Sequence, residues 1–480
     1  MSFQKVAAWH AGELAINSTD TDNSDFESGA SGSFATAYRS PLSHGSYNFD
    51  DPIETLSAPN SSAANTAATE PTFLGDLHNA RIRADVADQL GANDSLSYRG
   101  VLDVLDAAAV GGMTASKFGT LETLASLMNA PDGISTSAYV QYISHSLIDG
   151  DPANADWTGG ESTLVALGNL SATSTQTQVD DLIGKWFLGT DLPSFDHAGA
   201  AYEVHKGPLF ATDGVPSYHD VNQGDLGDCW FVATLAEVAL QDPSAIESTI
   251  TKNGNGTYGV RFFVDGVAEY VTVNKELPTA SGPSDLANGS NLVFANGANG
   301  EPLWAELVEK AFAQLNAEPN AVHGDELGKA INAYEGIEDG HPQCALAEIT
   351  DQSSIRYASG KLVSDAATIG AAFDAGEEVE LTTGAASQEY DGHLAGNHVF
   401  EVVGYDASTE EFTLHNPWGS ASWDPMTFTM SAHDLAAAGC SMYVAQGSAS
   451  GEHATAHSDV EASIASVVGA GHGPVGHFLL

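Results

Sequence analysis

The sequence predicts an α+β fold in which an all-α segment precedes a core that runs from helices into strands. Three observations carry this. Apolar residues recur at helical spacing between about 76 and 195, as in Val86, Leu90, Val101, Leu102, Val104, Leu105 and then Phe118, Leu121, Leu124, Leu127. Two alternating runs, VRFFV and VAEYVTV, flank Asp265-Gly266, a dipeptide suited to a two-residue primed turn. Four more strand patterns, EEVELTT, HVFEVVGY, EEFTLHN and MTFTM, crowd the part after residue 376.

In chain order, residues 1–75 are rich in Ser, Asn, Asp, Thr and Ala and are expected to form a flexible polar leader. Asp20, Asp22 and Asp25 have a calcium-loop flavour, but Asp25 stands where the loop needs glycine and Ser31 where it needs glutamate. Within 76–195, Thr114 and Ser116 are helix-start signals and Gly111-Gly112 a break. The pattern from Val179 to Leu188 stops before Gly189–Pro193. The core is expected over 196–446, and 447–480 as a low-complexity tail.

Composition narrows function. The formal charge is -49, from 15 Lys and Arg against 64 Asp and Glu. Such a field repels nucleic acid and anionic membranes. No transmembrane run and no signal-peptide h-region is visible, so the expected location is cytoplasmic, or outside by a route without a signal peptide. The base-poor, Gly/Ala/Ser-rich make-up resembles that of exported bacterial proteins. Three cysteines, Cys229, Cys344 and Cys440, cannot build a disulfide framework and are compatible with one reactive thiol.

That thiol is Cys229, in QGDLGDCWF. It follows a glycine-broken loop and opens an apolar helix, Trp230 to Leu240, whose N-terminal field favours the thiolate. Gln223, six residues upstream, can donate to an oxyanion. A base is needed, and His398 opens a strand pattern. If the following hairpin centres on Ala407, Asn416 lies opposite His398, and cross-strand partners share a face. An ordinary surface hairpin with a polar pair is the competing reading. Trp418 could shield an Asn–His hydrogen bond from water.

The order Cys229, His398, Asn416 is that of papain-like enzymes, although the gaps of 169 and 187 residues exceed the usual ~130–150. Four stretches resemble the calpain family of cysteine proteases: QGDLGDCWF, GNHVFEV, HNPWG and the helix LWAELVEKAFAQLN. The resemblance implies a papain-like two-lobed cysteine protease core, with a helical lobe at about 196–345 and a β lobe at about 346–446. It implies Cys229 as nucleophile, His398 as base and acid, Asn416 as orienter, and Gln223 with the Cys229 N–H as oxyanion hole. Gly227 and Asp228 complete the nucleophile segment, and Trp418 covers the triad.

The expected function is therefore a cysteine endopeptidase acting on protein substrates. The alternatives are a non-catalytic secreted binding or effector protein on the same fold, and acyl transfer to amines. The chemistry requires no cofactor. Calpains bind calcium, and the resemblance offers Asp220 and, after a one-residue shift, Glu301 as ligands, with solvated carboxylates as the competing reading. Ser420 and Ser422 stand where many calpains carry acids. Gly254-x-Gly256-x-x-Gly259 and Gly471-x-Gly473-x-x-Gly476 are read as loops, and His341 with Cys344 lacks the second pair a zinc site needs. The helical segment is expected to pack against, or mask, the core.

Overall fold

The computed structural model describes residues 71–281, 291–297, 302–317, 331–419 and 426–446. The acidic stretch around Asp20, almost all of the leader, Glu301, Ser420, Ser422, the tail and its glycine motif lie outside these residues.

Five helices lead the described chain: α1 (Ala80–Gln89), α2 (Tyr98–Ala109), α3 (Ala115–Leu127), α4 (Ala138–Ile148) and α5 (Gln176–Ile183). Each starts on a side-chain cap, with Asn79, Ser97, Thr114, Ser137 and Thr175 accepting a backbone N–H of the first turn. Ser116 is not a cap; it lies inside α3 and accepts a bond from Asn79. Gly111 and Gly112, at φ 76° and 77°, make the break between α2 and α3. The segment is not wholly helical, because a short antiparallel pair, β1 (Asp156–Trp157) with β2 (Val165–Ala166), interrupts it. Its apolar faces meet in one core that includes Val101, Leu105, Leu121, Leu124, Ile143 and Phe187.

The next portion holds β3 (Ala200–Val204), α6 (Cys229–Gln241), α7 (Pro243–Thr249), β4 (Ile250–Lys252), β5 (Thr257–Val264), β6 (Val267–Asn274), β7 (Glu276–Ala280), α8 (Trp304–Leu315) and α9 (Pro342–Thr350). It is more mixed than a purely helical lobe: β4-β5-β6 form a sheet and β3 pairs with β7. The Asp-Gly turn is as expected, since Val264 pairs with Val267 and both turn residues have positive φ. Helix α6 is apolar on every side and buried from Trp230 to Ala239. The Phe231 and Phe312 rings stack at 3.9 Å and tie α6 to α8.

The last portion holds β8 (Ser353–Tyr357), α10 (Ser359–Asp374), β9 (Val379–Thr382), α11 (Ser387–Tyr390), β10 (Val399–Asp406), β11 (Glu411–His415), β12 (Thr427–Ser431), α12 (Ala432–Ala437) and β13 (Ser441–Gln446). Its strands form one antiparallel sheet in the order β12-β11-β10-β9-β13-β8. All four strand patterns of the sequence lie in it. The mixture of helix and strand is consistent with a calpain protease domain.

The β10–β11 register differs from expectation. Glu401 pairs with His415, and a bulge between Val402 and Gly404 shifts the rest so that Gly404 pairs with Thr413. Extending the outer register puts Phe400, not His398, opposite Asn416. The count fails because Asp406 pairs with Glu411, so the hairpin centres between Ser408 and Thr409 rather than on Ala407, and the bulge takes back only one residue of that offset.

The helical segment rests on the β5–β6 hairpin. Tyr139 Oη bonds Thr272 Oγ1 at 2.8 Å and accepts from Asn253 Nδ2 at 3.0 Å. Thr272 Oγ1 donates to the Trp186 carbonyl at 2.5 Å. The chain enters this contact through Gly189, at φ 60°, where an added Cβ would lie 2.6 Å from the Val273 carbonyl carbon. Gly189→Ala combines a left-handed conformation with a backbone overlap, so it should destabilise the fold by about 2 kcal/mol or more. Urea unfolding checks this, and an unchanged midpoint would contradict the packing described.

Candidate active site

The site is built where the start of α6 meets the start of β10. Asp228 is the N-cap of α6 and Cys229 its first residue. The backbone N–H groups of Val399 and Trp230 lie near the Cys229 sulfur and favour its thiolate. Val399 opens β10 and follows His398, so the sulfur sits against the strand end that carries the imidazole. His398 is fixed from behind: its N–H donates to Thr383 Oγ1 at 2.9 Å, and its carbonyl accepts the Thr383 N–H at 2.9 Å.

His398 Nε2 and Asn416 Oδ1 are 2.9 Å apart, and both residues are buried. The contact is diagonal across the bulged hairpin rather than directly opposite. Asn416 Oδ1 also accepts the Trp418 N–H at 3.1 Å, which holds the amide oxygen between ring and backbone. The Trp418 indole lies 4.5 Å from the imidazole and Phe400 packs edge-on at 4.9 Å. Low polarity around the Asn–His bond strengthens it.

Burial decides the protonation of the pair. The Cys229 thiol is pushed up to about 12, first by desolvation, with Asp228 and Asp339 adding to it against the two backbone donors. His398 is pushed down to about 4 by burial, which the Asn416 bond only partly offsets. The helix N-terminal field favours the thiolate, while desolvation opposes it; a half-turn of helix field is worth at most about 2 kcal/mol, less than the cost of burying an unpaired anion. Both shifts favour the neutral thiol and the neutral imidazole, and no hydrogen bond joins the two side chains.

Gln223 is buried in the loop ahead of α6. Its Nε2 donates to the Leu226 carbonyl at 2.5 Å and to Asp228 Oδ1 at 3.3 Å, while Oε1 has no partner. Both amide hydrogens are engaged, so an oxyanion would have to displace one, and the longer bond is the weaker. Gly227 is exposed; its N–H donates to Glu338 Oε1 at 3.1 Å and its carbonyl accepts the Asp339 N–H at 3.1 Å.

Of the two calcium candidates, only Asp220 lies among the described residues. Asp220 Oδ2 accepts from the Ser217 N–H and from Trp304 Nε1, each at 2.9 Å, which makes it a cap and a tether. Glu301 lies outside the described residues. Among the described residues no group of three or more His, Cys, Asp and Glu is arranged to hold a metal ion. His341 is the N-cap residue of α9, and Gly254 and Gly256, both with positive φ, lie between β4 and β5.

Sequence reasoning missed the acids beneath the site. Glu401, fully buried in β10, faces His415 Nδ1 at 3.1 Å. Asp228 and Glu309 are each buried, and Glu309 is raised first by burial and then by Asp228. Only the GDC context marked Asp228, and nothing local distinguishes Glu309 from other helix-face acids.

Residues 200–431 match the family model described as calpain family cysteine protease. Calpain-8 of Mus musculus is 26% identical over 231 residues, 46% of this chain and 30% of the relative. Calpain clp-4 of Caenorhabditis elegans is 27% identical over 227 residues, 45% of this chain and 30% of the relative. The calpain-2 catalytic subunit of Homo sapiens is 26% identical over 233 residues, 46% of this chain and 31% of the relative. The chain therefore spans about 30% of the length of these curated relatives. All four motif stretches fall inside the matched segment, and the family resemblance read from them holds there.

A neutral resting pair predicts slow labelling of Cys229 by iodoacetamide near neutrality, rising steadily as the solution becomes alkaline. Mass spectrometry with Cys229→Ala as control reads this. A fast plateau between about pH 5 and about pH 7 would mean a resting thiolate–imidazolium pair instead.

Proposed function

We propose that the calpain-like segment at 200–431 is a papain-like, two-lobed cysteine endopeptidase that cleaves protein substrates through Cys229, His398 and Asn416. The observation that carries this reading is the buried His398–Asn416 hydrogen bond under Trp418, at the strand end against which the Cys229 sulfur packs. A thiol, an imidazole and an orienting amide at one meeting point are the parts that acyl transfer needs.

The steps follow from the groups present. As the sulfur attacks the peptide carbonyl carbon, His398 takes the thiol proton, so charge forms only when substrate is there to receive it. The oxyanion is held by the Cys229 N–H, which has no intrahelical acceptor at the helix start, and by a Gln223 hydrogen released from Asp228. His398 then returns the proton to the amine, the C–N bond breaks, and a thioester remains. Water gives a proton to His398 and attacks the thioester, which frees the acid product and restores the thiol. Asn416 keeps the ring turned throughout. None of these steps uses a metal or cofactor.

The family relation supports proteolysis, and the substrates and partners of the longer relatives do not transfer to a chain of this reach. The helical segment is proposed as a brace for the β5–β6 hairpin, since its hydrogen bonds described above run there and not to Cys229 or His398. The neutral thiol and the engaged Gln223 favour one rival, a protein-binding module on the same fold without turnover. Labelling Cys229 with a peptide-like thiol-reactive probe separates the two, because a non-catalytic cleft would leave it unmodified.

Cys229→Ala should abolish cleavage of casein, a loss of at least about 10⁴-fold. Asn416→Ala should cost less, on the order of 10²-fold in turnover, because the imidazole remains but is no longer held. Undiminished cleavage by the Cys229→Ala protein would exclude the assignment.

A further inference from the structure

The residue just before Asn416 makes a buried bond that the mechanism leaves unused. His415 closes β11, and its cross-strand partner in β10 is Glu401. His415 Nδ1 and Glu401 Oε2 are 3.1 Å apart. Glu401 is fully buried and His415 is 8% exposed. The other carboxyl oxygen, Glu401 Oε1, has no partner. Two apolar side chains of similar size would fill this space as well. What the polar pair adds is direction, because a hydrogen bond at Nδ1 fixes the turn of the imidazole about its Cβ–Cγ bond.

The ring so fixed meets the loop that leads to the nucleophile. The His415 imidazole stands edge-on to the Tyr218 ring, with centroids 5.4 Å apart and planes at 86°. Tyr218 opens a single 3-10 turn, Tyr218–Asp220, which the Ser217–Asp220 capping box closes. Trp304 Nε1 braces that turn from α8 by donating to Asp220 Oδ2 at 2.9 Å. The Gln223 N–H donates to the Pro417 carbonyl at 2.6 Å. Gly419, at φ 75°, passes so close to Asn222 that an added Cβ would lie 2.1 Å from Asn222 Oδ1. Residues 415–419 and 217–223 are thus docked on each other at both ends and in the middle. The first stretch carries Asn416 and the second carries Gln223.

We propose that His415 and Glu401 are positioning residues: their buried bond aims the His415 ring at Tyr218 and so latches the stretch that carries Asn416 onto the loop that carries Gln223. One contact then sets both the amide that orients His398 and the amide offered to the oxyanion. The pair acts through those two residues and does not touch the reacting atoms. The task given to the latch rests on the protease reading; the latch itself does not.

The variants separate direction from bulk. Glu401→Leu keeps the volume and removes the acceptor. Glu401→Gln keeps an oxygen for the imidazole. Tyr218→Leu breaks the ring contact from the loop side, at a half-buried position, and leaves the buried pair whole.

The test uses the full chain, with backbone hydrogen exchange read by mass spectrometry and kcat and KM measured on a peptide substrate. Glu401→Leu and Tyr218→Leu should speed exchange over 217–226 and 415–419, while α3 exchanges as in the wild type. Glu401→Gln should exchange like the wild type throughout. In turnover, Glu401→Leu should lose about 10-fold or more in kcat with KM held within about 2-fold, because both amides act in the transition state. Glu401→Gln should restore most of that loss. Wild-type exchange over 217–226 in both leucine variants would overturn the latch; if Glu401→Leu does not fold, Tyr218→Leu decides it. Faster exchange with kcat unchanged would overturn the positioning role. If the wild type cleaves nothing, the protease reading fails and the exchange rates still decide the latch.

Discussion

The meeting of the first turn of α6 with the first residue of β10 is the contact on which the rest of this structure depends. The two elements belong to different apolar cores, one built on α6 and α8 and the other on the antiparallel sheet. Val399 contributes its side chain to the first core, against which Cys229 packs, and its N–H lies near the Cys229 sulfur. Shape and chemistry are therefore fixed by the same residue. Any repacking of α6 against the sheet moves the sulfur relative to the imidazole. That is consistent with a helix that is buried from Trp230 to Ala239 and mostly apolar there.

Scarcity of bases shapes the interior as much as the surface. With 15 Lys and Arg against 64 acids, buried carboxyls cannot generally be neutralised by ion pairs. Among the described residues, Lys185 and Asp191 form a buried ion pair at 2.5 Å in the helical segment. Elsewhere protons and backbone donors serve. Glu306 is raised to about 8 by burial and accepts the Gly297 N–H; Glu380 in β9 is likewise raised to about 8 by burial. Glu237 on α6 is raised too, first by burial and then by Glu380 and Glu401, while it accepts the Val379 N–H. The seam between helix and sheet is lined by acids that are most comfortable when neutral.

How much of this was legible depended on whether the signal was local. The DCWF, NHVF and HNPWG words mark Cys229, His398 and Asn416 because each sits in a short context of turn and strand residues. The primed turn at Asp265-Gly266 was readable for the same reason. The His398–Asn416 proximity was reached through a hairpin centred on Ala407, whereas the turn centres between Ser408 and Thr409 and a bulge follows near Val403. Desolvation of the thiol was not legible, because a helix terminus is visible in sequence and burial is not. Asp228 and Glu309 belong to different helices, and only tertiary packing shows that both are buried.

Tyr139 has a last consequence. Its ring lies over Gly259 of β5 so closely that an added Cβ would sit 2.5 Å from the phenol carbon. The same hydroxyl is shared with Asn253 and Thr272. An aromatic ring seated in a notch of bare backbone is a key in a lock rather than a hinge. The leading helices and the hairpin should thus melt as one cooperative block, and a protease cutting near residue 195 would nick the chain without setting the two parts free.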